Sequence, residues 1–194
     1  MKLFLPLLIF LSTTVFSQGV YRWDVKIAVD TAGQRISKSK YKAKATSVSD
    51  LANKKENPRP EKKEIQKGLR ADTEKRKVTV TAYVVGLGKE KDGDYHLILK
   101  ALRSKKTLVA EIPDPDQPKL KGFPTYKKLY AKAREVVDND IQVPTSTIKE
   151  IEPIKVIVTG FVFFDIFEEG GHGHGSAIEN AIEIHPVLKI KVVK

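Results

Sequence analysis

The order of its periodic runs constrains this chain most: three period-two stretches, one stretch of helical spacing, then two more period-two stretches. Val78, Val80, Ala82 and Val84 alternate with Thr79, Thr81, Tyr83 and Val85, the pattern of a strand with one buried face. Asp92-Gly93 turns the chain, and Tyr95, Leu97 and Leu99 then alternate with His96, Ile98 and Lys100. RSKK leads to a third strand, TLVAEI, which ends at Pro113 and Pro115. Leu129, Ala133, Val136 and Val137 recur at helical spacing between Thr125 and Val137, with Pro124 suiting the helix start. KVIVTGFVFFDI and AIEIHPVLKIKVV complete the series. This order predicts a mainly β fold: a five-stranded OB-type barrel over residues 76–194, with one helix between its third and fourth strands. A small α+β sandwich is the alternative. Gly160 suits a strand that must bend sharply to close a barrel, and Pro186 calls for an edge or a bulge in the last strand.

The N-terminus has the form of a secretory signal over residues 1–17: Lys2 as the positive flank, Leu3 to Leu11 as the apolar stretch, and a small, polar exit with cleavage near Ser17–Gln18. Its apolar run is well short of the roughly 20 residues that span a bilayer, and no later segment reads as a transmembrane helix. The expected location is therefore periplasmic or extracellular. The chain has no cysteine, so packing and a closed sheet must supply the stability that disulfides supply elsewhere. Residues 18–75 read as a basic extension or linker. Within it, YRWDVKIAV predicts a strand over 21–29, and SVSDLANKKE a short helix capped by Ser47 or Ser49. From Lys38 to Lys77 there are fourteen Lys or Arg against six Asp or Glu, which favours polyanions or simply keeps a linker solvated.

WDVK, DGDYHLIL, AEIPDPD, VTGFVFFD and AIEIHPVLKI, in this order, resemble a family of uncharacterised exported bacterial OB-fold-like proteins. The resemblance runs from Trp23 to the C-terminus, with its specific blocks after Val78, and it implies shared structure rather than a known activity. Members of that family often carry a cysteine soon after the IPDP block, where this chain has Asp116, and usually differ in the loop that here reads EEGGHGHGS.

In an OB barrel, ligands lie across the outer face of the second and third strands and the adjoining loops. With the apolar alternates inward, that face carries Tyr83, His96, Ile98, Lys100, Val109 and Glu111, flanked by Lys89, Lys91, Arg103, Lys105 and Lys106. Cations are plentiful and aromatics scarce, so base stacking has little support. The reading is an exported binding module for a polyanion, whether nucleic acid or anionic glycan, or for a carbohydrate. A second set, His96, Glu111, Asp165, Glu183 and His185, falls on outward strand positions and could hold a divalent metal or do acid–base work, although the positions need not converge. That set motivates an alternative, a metal-dependent hydrolase acting on phosphodiesters. His172 and His174 of the glycine-rich loop offer further metal ligands beside Glu183 and His185. A third alternative is an envelope protein that recruits a partner through WDVK and the basic segment. No phosphate-binding glycine loop, Ser/His/Asp order or nucleophilic cysteine is present, and no cofactor other than a divalent metal is suggested.

Overall fold

A computed structural model describes residues 22–38, 41–53, 55–57, 61, 68–165 and 181–193. The signal segment and the GGHGHG loop, with His172 and His174, lie outside the described residues. Six strands form one mixed sheet: β1 (Lys44–Thr46), β2 (Lys77–Lys89), β3 (Tyr95–Lys100), β4 (Thr107–Ile112), β5 (Lys149–Phe164) and β6 (Ile182–Val192). The hydrogen-bonded order is β1-β2-β3-β4-β6-β5, and β5 pairs back onto β2, so the last five strands close into a ring. All ring pairings are antiparallel except β4 with β6, which is parallel. β1 adds to β2 in parallel outside the ring.

The period-two runs form strands because their apolar alternates can all face one interior. Val78, Val80, Ala82, Val84, Leu97, Leu99, Leu108, Ala110, Ile112, Val156, Val158, Phe164 and Ile184 are buried there. Removing each Val, Leu, Ile or Phe side chain among them from water stabilises the fold by roughly 1.5–3 kcal/mol. Helix α4 (Pro124–Asp140) packs mainly against β6 and buries Tyr126, Tyr130, Ala133 and Val137. Its Tyr130 hydroxyl donates to the Ile27 carbonyl at 2.6 Å, tying the helix to the N-terminal segment. No helix among the described residues is long and apolar enough to cross a membrane.

Two departures from the sequence expectation concern the N-terminal part. The segment expected as a strand over 21–29 is helix α1 (Trp23–Lys26) followed by a turn, with Ala28 at φ 56°. Its alternation is overridden because Ile27, Ala28 and Val29 are all buried in succession, which no strand with one wet face would allow. Nor are the described parts of residues 18–75 a linker. Helix α2 (Thr31–Ser37) starts at Asp30, whose carboxylate caps Gly33 N–H, and Ile36 joins the core. Helix α3 (Val48–Leu51) is closed by a capping box between Ser47 and Asp50, with Val48 and Leu51 buried. The segment is locked down by a fully buried carboxylate. Glu74 accepts from Arg22 Nη1 at 2.7 Å, Ala71 N–H at 2.8 Å and Phe164 N–H at 3.0 Å. WDVK is thus part of the fold, with Val25 buried.

The β5–β6 register shifts on both sides of Gly160, whose partner is Val187. A Cβ on Gly160 would stand 2.5 Å from Ile184 Cγ2 and from the Pro186 carbonyl oxygen, so only glycine fits this close approach. Pro186 sits in the irregular stretch of β6, where a missing N–H costs no ladder bond.

Candidate metal centre

Strand register assembles a polar row on the outer side of the ring. His96 of β3 stands opposite Glu111 of β4, and Val109 of β4 pairs with Glu183 of β6. Continuing the latter pairing by two residues sets His185 beside Glu111. The row is therefore His96–Glu111–His185, with Glu183 on the same face of β6. Asp165 follows the Phe163–Glu183 pair at the end of β5, and its charge reaches Glu183. Of the five residues read as a candidate set, His96, Glu111, Glu183 and His185 converge, and Asp165 stands at their margin, half-buried.

These positions were expected to face solvent, and they do not. His96, Glu111, Glu183 and His185 are 0–4% exposed, because α1 and the β2–β3 turn cover this end of the sheet. Val109 of the same face is buried too, Tyr83 and Ile98 are half-buried, and only Lys100 is open. The cationic residues of the expected ligand face are split. Lys89 and Lys91 lie near the β2–β3 turn, whereas Lys100, Arg103, Lys105 and Lys106 lie at the opposite end of β3. Six strand residues separate the two groups by roughly 17–20 Å.

Three further groups complete the centre: Asp94 and Glu90 from the β2–β3 turn, and Lys26 from α1. His96 Nδ1 lies 2.9 Å from Glu111 Oε1 and 3.1 Å from Glu90 Oε1. His185 Nδ1 lies 2.9 Å from Glu111 Oε2 and 3.6 Å from Glu183 Oε2, and its Nε2 lies 3.4 Å from Asp94 Oδ2. The Lys26 ammonium is 2.8 Å from Asp92, 3.5 Å from Asp94 and 3.7 Å from Glu111. Asp94 is rigidly presented. Its Oδ1 accepts from Asp114 N–H and Gln117 Nε2, both at 2.8 Å, which leaves Oδ2 aimed at His185. Arg134 of α4 braces the same turn by donating to the Gly93 carbonyl at 2.7 Å. Phe163 meets the His185 ring edge-on at 5.7 Å, and Arg22 lies over the other ring at 5.0 Å from its centroid.

The protonation states follow from mutual attraction working against burial. Burial and the Lys26 charge both disfavour a proton on His185, but Asp94, Glu111 and Glu183 outweigh them and hold its pKa well above the ordinary value. His96 is raised in the same way: burial opposes protonation, and Glu111 and Glu90 more than offset it. Despite its own burial, Glu111 is held well below the carboxylate range by His185, His96 and Lys26. Asp94 is likewise lowered, with burial opposed by His185 and Lys26. Glu183 goes the other way: burial and repulsion from Glu111 push it up to about 8.

His96 Nδ1 and Glu111 Oε1 share a hydrogen bond at 2.9 Å, but around His185 attraction is not the same as hydrogen bonding. Asp94 Oδ2, Glu183 Oε2 and both ring nitrogens of His185 are buried without a hydrogen-bond partner, since the short His185 contacts lack the direction an N–H needs. Such orphaned buried groups are costly, and here they lie 3.4–3.6 Å apart. Two ligands each about 2.0–2.2 Å from one ion stand roughly 3–4 Å apart. The donor atoms of Asp94, Glu111 and His185 all lie within 4.8 Å of one another, as do those of Glu90, His96 and Glu111. Imidazole with carboxylate is a donor set suited to first-row divalent ions.

Sequence reasoning missed Asp94, Glu90 and Lys26. Asp94 was legible only as a turn residue of KDGD, although its place two residues before His96 was a usable signal. Nothing local marks Lys26, which reaches the centre only because α1 packs there. Comparison of the chain with family models, curated proteins and solved structures gives no significant match.

Proposed function

We propose that this chain is an exported OB-type barrel that binds a divalent transition-metal cation at the His–carboxylate centre. Asp94, Glu111, Glu183 and His185 would supply the ligands. The observation that carries the reading is the buried, partnerless Asp94 Oδ2 beside an equally partnerless His185 ring, with the donor atoms of Asp94, Glu111 and His185 within 4.8 Å of one another and Glu183 Oε2 3.6 Å from His185 Nδ1. Support for the OB-type architecture comes from the ring order, the parallel β4–β6 pairing and the helix between β4 and β5. Support for binding rather than hydrolysis comes from the donors' burial, which leaves little room for a substrate beside an ion.

Equilibrium dialysis of the full chain, stripped with EDTA, against Zn²⁺ or Mn²⁺ tests the reading. Micromolar or tighter uptake that His185→Ala and Glu183→Gln each weaken by about 10–100-fold is expected, an effect typical of losing one ligand or its support. Uptake equal in wild type and both variants, or none at all, would sink it.

A polyanion-binding role has one observation in its favour. Tyr83 pairs with Lys100 on one side and Lys155 on the other, so an aromatic ring stands between two exposed ammonium groups on the outer sheet face. Heparin or single-stranded DNA binding that weakens with salt, and weakens further in Lys100→Ala/Lys155→Ala, would support this role. Salt-independent binding would exclude it.

A further inference from the structure

We propose that the centre holds two divalent cations, with Glu111 as the carboxylate that bridges them. This rests on the metal-binding reading above and extends it to a second ion. The two oxygens of Glu111 face different partners: Oε1 is 2.9 Å from His96 Nδ1, and Oε2 is 2.9 Å from His185 Nδ1. Glu111 takes part in two three-residue groups of clustered donors, Glu90–His96–Glu111 and Asp94–Glu111–His185. Glu111 is the member common to both.

The cause lies in the strand register. A row running across three neighbouring strands places an imidazole on each side of one carboxylate, and the β2–β3 turn adds one further carboxylate to each side, Glu90 and Asp94. A carboxylate with a metal ligand beside each oxygen is the arrangement by which paired-ion sites share one residue. The His96 side has its own mark of a cation position. One ring nitrogen of a residue 1% exposed faces two carboxylate oxygens, at 2.9 and 3.1 Å, and a single N–H serves two acceptors poorly.

Charge balance points to the same number. Glu90, Asp94, Glu111 and Glu183 together carry four negative charges when ionised, which two divalent ions neutralise. In the metal-free protein the Lys26 ammonium stands 3.5 Å from Asp94 and 3.7 Å from Glu111 and supplies part of the balancing charge. Lys26 need not leave altogether when ions enter, because it already contacts Asp92 at 2.8 Å near the surface.

The test counts ions. The EDTA-stripped full chain is dialysed against Mn²⁺, ions per chain are measured by mass spectrometry, and the Mn²⁺ electron paramagnetic resonance spectrum is recorded. Two ions per wild-type chain, with the spectrum of an exchange-coupled pair, are expected. His96→Ala should retain one ion with an isolated six-line spectrum. Glu90→Gln, at the more exposed rim, should do the same or lower the second ion's affinity at least tenfold, and covers the case in which His96→Ala fails to fold. One ion in wild type, unchanged by either variant, would overturn the second site while leaving the single-ion reading standing. Two uncoupled ions, with the second removed by His172→Ala/His174→Ala, would place it in the glycine-rich loop and overturn the bridge. No bound ion would overturn both readings.

Discussion

Lys26→Met should make the metal-free protein less stable and the metal-bound protein easier to form, by comparable amounts. Its ammonium is only 13% exposed and stands 3.5 Å from Asp94 and 3.7 Å from Glu111, two of the proposed ligands. Burial lowers its pKa, but Glu111, Asp94 and Asp92 outweigh burial and hold the lysine charged well above its ordinary value. At an effective dielectric of about 20, unit charges about 4 Å apart attract by about 4 kcal/mol. Proton uptake by neighbouring groups and entry of water offset part of that, so a loss of about 1–3 kcal/mol is expected in EDTA. An entering ion must displace the ammonium from Asp94 and Glu111 in the wild type, and has no such contacts to break in the variant. The same free energy therefore reappears as affinity, about 10–100-fold tighter binding at about 1.4 kcal/mol per factor of ten. Urea denaturation in EDTA measures the first quantity, and titration calorimetry with Mn²⁺ or Zn²⁺ the second. If Lys26→Met is destabilised yet binds metal no more tightly than wild type, the ammonium does not hold the cation's place, and the cluster is an internal ion-pair network.

Three further outcomes are expected. Glu183, pushed up to about 8 from 4.5, contributes to metal-free stability fully below pH 4.5, and that contribution is lost as pH rises through about 8. The stability of Glu183→Gln relative to wild type should accordingly climb across that window by up to about 4–5 kcal/mol, at about 1.4 kcal/mol per pH unit. A pH-independent difference in urea denaturation between the two proteins would contradict the assignment. Glu74→Ala should cost about 3–5 kcal/mol, because it strands the buried Arg22 guanidinium and two buried N–H groups, and Arg22→Met/Glu74→Met should recover much of that loss. Gly160→Ala should lower stability by at least about 1–3 kcal/mol, since its Cβ would press on Ile184 and on the backbone at Pro186. Because that backbone also carries His185, metal affinity should fall with it, and a neutral result would mean that the irregular stretch can relax.

Much of the ring was legible because a half-buried strand writes its burial into every second residue. Val78 to Val84, Tyr95 to Leu99 and Leu108 to Ile112 state which face turns inward without reference to anything distant. The helix over Pro124–Asp140, the cap at Ser47 and the need for glycine at position 160 are local in the same sense. Two features were not. β5 begins at Lys149, earlier than its apolar run, because β2 offers a partner as far as Leu87 and pairing needs only backbone. The segment around Trp23 alternates like a strand but coils, because consecutive residues are swallowed by the core.

The centre shows the same division. Period two put His96, Glu111, Glu183 and His185 on the outward side of their strands, and the register brought them into adjacent rows. Alternation specifies the side of the sheet on which a residue lies, and says nothing of what covers that side. Only tertiary packing laid α1 and the β2–β3 turn over this end of the ring, turning a row of surface polar residues into a buried cluster. Burial removed water as a partner for Asp94, Glu183 and His185, and the lack of that partner is what motivates the proposed cation.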